Sequence, residues 1–307
     1  MPKIDQYWAL PDGISEALPA EAAALEQLRR QLLDLFATWG YRLVMPPLVE
    51  FIESLRTGHG SDLDIQTFKL TDQLSGRMMG LRADMTPQVA RIDAHKLNTD
   101  LPNRLCYIGS VLRTRSFYQD GSRSLLQVGA ELFGHAGQDS DFEVIGLLLT
   151  TLEHCHVPKV VLDIGHVGIF RSLAQAAQMT AQQESLFYDM LLRKSLPEID
   201  AWLAQAHLPG TLRRYLHALP RLSGGMEVFT DALHIFADAP ADIRAALTYL
   251  QNLCARIQAH FPTCTLHVDL AELSGYDYHT GVVYGIYTPS VGREIARGGR
   301  YDGIGEA

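Results

Sequence analysis

Cysteine is scarce in this chain. Its 307 residues include four, at positions 106, 155, 254 and 264, with no CxxC pair among them. That argues against a disulfide-framed scaffold and predicts free thiols in a reduced, cytoplasmic setting. Long apolar runs are lacking too. The stretch Val144 to Leu149 falls far short of the roughly 20 residues a membrane-spanning helix needs. The opening MPKIDQYWALPDG carries no apolar signal core, so no secretory leader is expected. Basic charge is in deficit: 26 Lys and Arg stand against 35 Asp and Glu, a formal net charge of -9. A protein that grips nucleic acid through its phosphates usually offers a basic surface, so the balance argues against such a partner. What is present is ordinary globular composition, 47% hydrophobic and 20% charged, in a chain long enough for one large or two modest domains.

The pattern along the chain is mixed. Leu25, Leu28, Leu32, Leu35, Phe36 and Trp39 recur at helical spacing between Pro19 and Gly40, residues suited to a helix start and to the position just past a helix end. Tyr41 to Glu50, interrupted by Pro46-Pro47, reads as an extended edge or crossover piece. Phe68 to Leu81 reads as a hairpin turning at Ser75-Gly76, and Thr86-Pro87 as a helix cap followed by a first-turn proline.

Two strand-like runs, Tyr107 to Arg113 and Leu125 to Phe133, flank a polar loop. In the second, Leu126, Val128, Ala130 and Leu132 share one face by the two-residue period and are expected to face the core. The other face presents Gln127 and Glu131 across the gap left by Gly129, which suits a ligand floor.

Ser140-Asp141-Phe142-Glu143 reads as a capping box opening a helix with Ile145, Leu148, Leu149 and Leu152 buried. Pro158 is expected to end it, with a strand at Lys159 to Ile164. Residues from about 171 to 260 are helical in character. Thr180 to Gln183 form a second capping box, and Ile243, Leu247, Leu250, Cys254, Ile257 and Phe261 mark an amphipathic helix. Strand patterns return at Thr265 to Leu270 and Val282 to Thr288. The fold class is therefore α+β, an antiparallel-rich sheet with flanking helices and one helical insertion.

No metal site is expected. His154 and His156 would point roughly 200° apart on a 3.6-residue helix and would not reach one ion. The glycine-rich GHGSD at Gly58 to Asp62 lacks a strand-turn-helix setting, so it reads as a surface loop rather than a phosphate loop.

Five segments, in order, resemble class II histidyl-tRNA synthetases. They are GYRLVMPPLVE at 40–50, LRADMTPQVAR at 81–91, YIGSVLRTRSFYQDGSRSLLQVGAELFG at 107–134, SGYDYHT at 274–280 and GGRYDG at 298–303. The resemblance implies a six-stranded antiparallel sheet, dimerisation through the first segment, and a histidine pocket built from Asp84, Thr86, Arg113, Gln127, Glu131, Tyr278 and His279. The chemistry of these residue types agrees with that. An ammonium needs carboxylates, an imidazole N–H needs an acceptor, and a ligand carboxylate needs a cation or amide donors. From pattern alone Asp84 and Thr86 equally suit a plain helix start, and Glu131 a half-solvated strand carboxylate.

The departures from the synthetase pattern concern catalysis. Amino-acid activation gathers negative charge on the α-phosphate. The synthetase family places an arginine at the head of its RGLDYYT segment, where this chain has Ser274. Losing one preorganised cationic donor costs roughly 2.7–4 kcal/mol of transition-state stabilisation. Arg115 stands where the second motif has glutamate, and Leu125 replaces the aromatic that stacks on adenine. Arg115 and Arg123 remain candidate anion contacts, with solvated loop charges as the alternative. The third motif and the anticodon-binding domain are not in the sequence. The strings LRADMTPQVAR and GYDYHTGVVY are similar to those of the synthetase-like regulatory subunits of ATP phosphoribosyltransferase.

That resemblance implies a non-catalytic subunit with no cofactor. It would enable a short-form catalytic transferase, carry histidine feedback to it, pair with itself, and use neither tRNA nor a membrane. His279, in place of the second tyrosine of DYYT, would make ligand binding sensitive to pH. A divergent histidyl-tRNA synthetase and a stand-alone histidine sensor are the competing readings.

Overall fold

A computed structural model describes residues 8–55, 65–97, 99, 101–116 and 121–303. The chain divides into two compact units, Met1–His135 with Gly303–Ala307, and Ala136–Asp302. The segment Gly58 to Asp62 and part of the loop after Ser116 lie outside the described residues.

The first unit begins with helix α1 (Pro19–Thr38), with proline in its first turn and Gly40 just beyond it at φ +82°, the left-handed region glycine tolerates. Its buried contacts are Leu32 and Phe36. Strand β1 (Arg42–Leu43) pairs in parallel with β5 (Asn103–Leu112), which pairs antiparallel with β6 (Ser124–Phe133). A separate three-stranded sheet holds β2 (Val49–Phe51), which runs on into the short helix α2 (Ile52–Leu55), with β3 (Phe68–Thr71) and β4 (Met78–Leu81), in the order β2-β4-β3. The expected hairpin is present, and its turn carries Gly76 at φ +71°. Arg82 pins these layers together from a buried position. Its guanidinium donates to Ser110 O at 2.8 Å and Pro46 O at 2.7 Å, so a desolvated cation is satisfied by backbone carbonyls.

Two expectations for this unit are overturned. Leu126 and Val128 are exposed, at 48% and 40%, instead of facing the core. The opposite face of β6 turns inward, where Leu125 and Phe133 pack on Met85, Val89, Leu105, Tyr107 and Val111. Both faces of the strand carry apolar residues, so alternation alone did not settle the choice; the packing of helix α3 (Thr86–Ile92) did. Thr86 is also not a helix cap. It is the first helical residue, and Asp84 accepts its backbone N–H at 2.9 Å. The helix runs on as a π turn over Asp93–Leu97.

The second unit holds a five-stranded sheet in the order β11-β10-β7-β9-β8. Its strands are β7 (Val161–His166), β8 (Ser223–Gly224), β9 (Thr265–Asp269), β10 (Val282–Thr288) and β11 (Val291–Gly299). In place of the expected six-stranded antiparallel sheet, the described residues form these five strands, antiparallel except for one neighbouring pair. β7 and β9 run parallel, because the chain between them crosses over through helices. These are α5 (Val167–Ala176), α6 (Ala181–Leu192), α7 (Leu196–Gln205), α8 (Gly210–Ala218), α9 (Val228–Ile235) and α10 (Ala241–His260). Leu162, Ile164, Val268 and Ile286 of the sheet bury against Phe170, Phe187, Leu247 and Ile257 of the helices in one continuous core.

The Thr180 capping box is present in both halves. The one expected at Ser140 is not. Helix α4 (Gln138–His154) starts three residues earlier, with Gly137 as its cap, and the Ser140 hydroxyl donates to the Gly137 carbonyl at 2.9 Å. His154 is the last residue of α4 and His156 lies beyond it at φ +55°, so the helical-angle argument does not apply to that pair. The strand expected from Lys159 begins at Val161, since Lys159 takes φ +52°. No described helix is long and apolar enough to cross a membrane.

Candidate functional site

In the first unit, β5, β6 and the start of α3 bring a compact polar group together. Glu131 sits on the inward face of β6. Its Oε1 accepts the Thr86 hydroxyl at 2.9 Å and the Tyr107 phenol at 3.0 Å. The two hydroxyl oxygens lie 3.1 Å apart, so three oxygens form a closed triangle around one carboxylate. Four residues earlier on the same face of the strand, Gln127 Oε1 accepts the Met85 N–H at 3.1 Å. That bond fixes the amide's orientation and directs its NH2, two donors, away from the helix. Asp84 completes the edge by holding the first turn of α3. Arg113 Nε donates to Ala83 O at 3.2 Å, which places its guanidinium beside this turn.

Asp84, Thr86, Arg113, Gln127 and Glu131 are thus brought to one place. Tyr107 was missed as a member, although the β5–β6 register sets it directly opposite Gly129. The glycine does not leave an open floor as expected. A Cβ at 129 would stand less than 3.0 Å from the Tyr107 ring, so the ring occupies that gap. The signal available in the sequence was this pairing of an aromatic with a glycine on neighbouring strands. Burial, the Glu131 charge and the Asp84 charge hold the Tyr107 phenol well above its usual pKa, so it stays a neutral hydrogen-bond donor.

The candidate anion contacts differ from each other. Arg115 is exposed. Arg123 is half-buried, 5.3 Å from the Phe68 ring centroid, and its backbone joins two segments: its N–H donates to Gly13 O at 2.7 Å and its carbonyl accepts from Arg113 at 2.9 Å. Its Nε is buried with no hydrogen-bond partner. Leu125, at the position of the family's stacking aromatic, packs against the apolar cluster behind the sheet.

Ser274, Tyr278 and His279 belong to the second unit, in the loop between β9 and β10. The Ser274 N–H donates to Glu272 Oε1 at 2.8 Å, and its carbonyl accepts from His279 Nδ1 at 2.9 Å. A carbonyl only accepts, so Nδ1 carries the proton. His279 is buried, its ring 4.4 Å from that of Tyr278. Arg300 of GGRYDG is also held inside this unit, by Asp141 at 2.8 Å and Gly137 O at 3.0 Å.

One cluster of metal-type donors occurs among the described residues, Asp163, Asp269 and Glu272, and it does not include His154 or His156. Lys194 and His267 already pair with two of those carboxylates.

The histidyl-tRNA synthetase family model matches residues 13–307. The ATP phosphoribosyltransferase regulatory subunit of Alkalilimnicola ehrlichii is 55% identical over 98% of this chain and 75% of its own length. Among solved structures, an ATP phosphoribosyltransferase regulatory subunit/histidyl-tRNA synthetase from Bacillus halodurans superposes with a TM-score of 0.87 at 27% identity, over 97% of this chain and 77% of that one. A chain of an ATP phosphoribosyl transferase complex from Thermotoga maritima shares the fold at a TM-score of 0.69 and 18% identity, over 90% and 92% of the two chains. Five ordered motifs, a class II synthetase-like fold and relatives more than half identical lead to one conclusion: the chain belongs to the family of ATP phosphoribosyltransferase regulatory subunits, on the histidyl-tRNA synthetase fold.

Proposed function

We propose that this chain is the non-catalytic regulatory subunit of an ATP phosphoribosyltransferase, required by a short catalytic subunit and carrying histidine feedback to it in the first step of histidine biosynthesis. The observation that carries the reading is the 55% identity, over nearly the whole chain, to a relative of that name. Ser274 agrees with it: a neutral hydroxyl, with its N–H held by Glu272, does not replace a guanidinium at a developing phosphate charge.

Histidine is the effector that the polar group in the first unit suits. Glu131 and Asp84 offer carboxylate oxygens for an ammonium and an imidazole N–H. Gln127 offers amide donors, and Arg113 a cation for the ligand carboxylate. Tyr278 and His279 belong to the same reading as loop residues, with Arg115 and Arg123 as anion contacts. Feedback then requires histidine to bind the inhibited assembly more tightly than the active one, by a coupling free energy of about 1–3 kcal/mol.

The subunit also pairs with itself. Leu43, Leu126 and Val128 share one face of the β1-β5-β6 sheet by register, and all three are exposed. The net charge of -9 supports a role without tRNA, and four free cysteines accord with the cytoplasm. Residues from about 171 to 260 are read as a helical insertion into a class II synthetase-like domain, a reading supported by β7 and β9 lying as sheet neighbours on either side of it.

Reconstitution tests the whole reading. Mixed with a short-form catalytic transferase, the chain is expected to co-elute with it, to raise its activity, and to make that activity sensitive to histidine. A transferase equally active and equally inhibited without this chain contradicts the assignment.

A further inference from the structure

The loop that carries Ser274, Tyr278 and His279 is held by the helices of its own unit at several points. Arg171 of α5 donates to the carbonyls of Tyr276 at 2.8 Å and His279 at 3.0 Å. The Tyr276 phenol donates to Glu184 of α6, and the ring of Tyr188, also on α6, lies 5.3 Å from that of Tyr276. A further contact comes from the link between α6 and α7, where Lys194 Nζ meets Asp269 Oδ2.

Lys194 sits where a side chain is unfavourable. Its φ is +50°, and it closes α6 in the manner usual for glycine: its N–H returns to Leu191 O and that of Ser195 to Met190 O. The helix end alone explains the shape and not the lysine. Asp269 explains it. Its side chain is 5% exposed and stands at the end of β9, with Oδ1 accepting the Ala271 N–H at 3.0 Å and so forming the turn into the loop. Glu272 then holds Ser274. Asp163, Asp269 and Glu272 have carboxylate oxygens within 4.8 Å of one another. Three anions this close repel unless cations stand among them. Lys194 supplies one and His267, bonded to Asp163 at 2.8 Å, is the other candidate.

We infer that Lys194 is a positioning residue: through Asp269 it sets the turn into the 274–280 loop and so ties the placement of Tyr278 and His279 to the helices between β7 and β9. The inference goes beyond the transferase reading and concerns this chain alone. Without Lys194, Asp269 would be a buried carboxylate beside Asp163 and Glu272, relieved only by opening its turn or by taking up a proton.

Amide hydrogen exchange on the full chain reads this directly, because the N–H groups of Tyr276, Tyr278 and His279 bond within the loop, to Leu273 O and Gly275 O. Lys194→Ala is expected to lower protection at these three amides about tenfold near pH 7.5, while Lys194→Arg keeps it. Asp269→Asn placed in the Lys194→Ala background should restore it, since the amide oxygen still accepts from Ala271 and position 269 no longer carries a charge. Protection in Lys194→Ala should also return as pH falls and the cluster takes up a proton. The groups facing that proton are Asp163 on β7, His267 on β9, Tyr287 on β10, Glu294 on β11 and Glu272 in the loop. Lys194→Met, which keeps the aliphatic stem, replaces the alanine variant if truncation unfolds the chain. Protection in either charge-removing variant within about twofold of the parent, or failure of Asp269→Asn to restore it, overturns the inference.

Discussion

Tyr107 on β5 lies directly across from Gly129 on β6, and its ring fills the space that any side chain at 129 would need. From that position the phenol reaches across β6 to Glu131, 3.0 Å away. The missing Cβ therefore shapes the polar group at the start of α3 as much as any charged residue in it.

Gly129→Ala is the direct test of that relationship. The added methyl must displace the Tyr107 ring, because β5 and β6 are locked by ten residue pairs and cannot separate locally. Overpacking of this kind costs about 1–3 kcal/mol, read as a lower urea midpoint. Histidine affinity measured by calorimetry should fall in the same variant. Unchanged stability would mean that the ring has somewhere else to go.

Glu131 holds Thr86 and Tyr107 as well as offering a contact to a ligand. Glu131→Gln keeps an acceptor and removes the charge; it is expected to weaken histidine binding by about 1.5–3 kcal/mol, the worth of a charge-assisted hydrogen bond. The phenol reports the same change. Burial first, and then the Glu131 carboxylate, raise the Tyr107 pKa, so neutralising residue 131 should lower it while burial still holds it above the ordinary tyrosine value, a difference read by ultraviolet titration. A Tyr107 titration indifferent to residue 131 would dissolve the coupling.

His166 sets an acid limit on stability. It caps α5 by accepting the Gly168 N–H at 3.1 Å, which requires an unprotonated Nδ1. Burial, with the nearby Arg300 and Arg171 charges, lowers its pKa from 6.5 to about 4. Between those values the unfolded chain binds a proton that the folded chain refuses. The stability is therefore complete above pH 6.5 and is lost as pH falls toward about 4. Its size is on the order of 3 kcal/mol from the shift. His166→Asn keeps a cap acceptor that does not titrate, and should flatten unfolding free energy against pH across this window. A parallel slope in parent and variant would place the acid sensitivity elsewhere.

The open face of the β1-β5-β6 sheet predicts self-association. Leu126→Lys and Val128→Lys put charge on an apolar face without touching the cluster on the other side, so the fold should hold while the sedimentation coefficient falls from dimer to monomer. A monomeric parent would remove this face as a pairing surface.

Much of this was legible in the sequence because local rules and tertiary structure agreed. Pro19 and Gly40 bracket α1, Thr180 and Gln183 form their reciprocal cap, and the four-three spacing from Ile243 to Ile257 is a buried helical stripe. The Asp84, Thr86, Gln127 and Glu131 group was legible through the ordered motifs, and the structure brings these side chains together. Other features depended on partners distant in sequence. Leu126 and Val128 look like core residues until α3 is seen packing on the other face of β6. Thr86 looks like a cap until Glu131, 45 residues later, takes its hydroxyl. Ser140 follows the capping-box pattern, but the extended backbone at Gly137 starts the helix first. Lys194 gave no signal at all, because its meaning lies in Asp269, 75 residues away.

A regulatory role requires a chain that retains amino-acid recognition and lacks adenylation chemistry. Histidine-dependent ATP–pyrophosphate exchange measures that most directly. With Ser274 in place of the family's arginine, exchange is expected at least about a hundredfold below synthetase rates. Exchange at full synthetase rates would contradict the regulatory assignment.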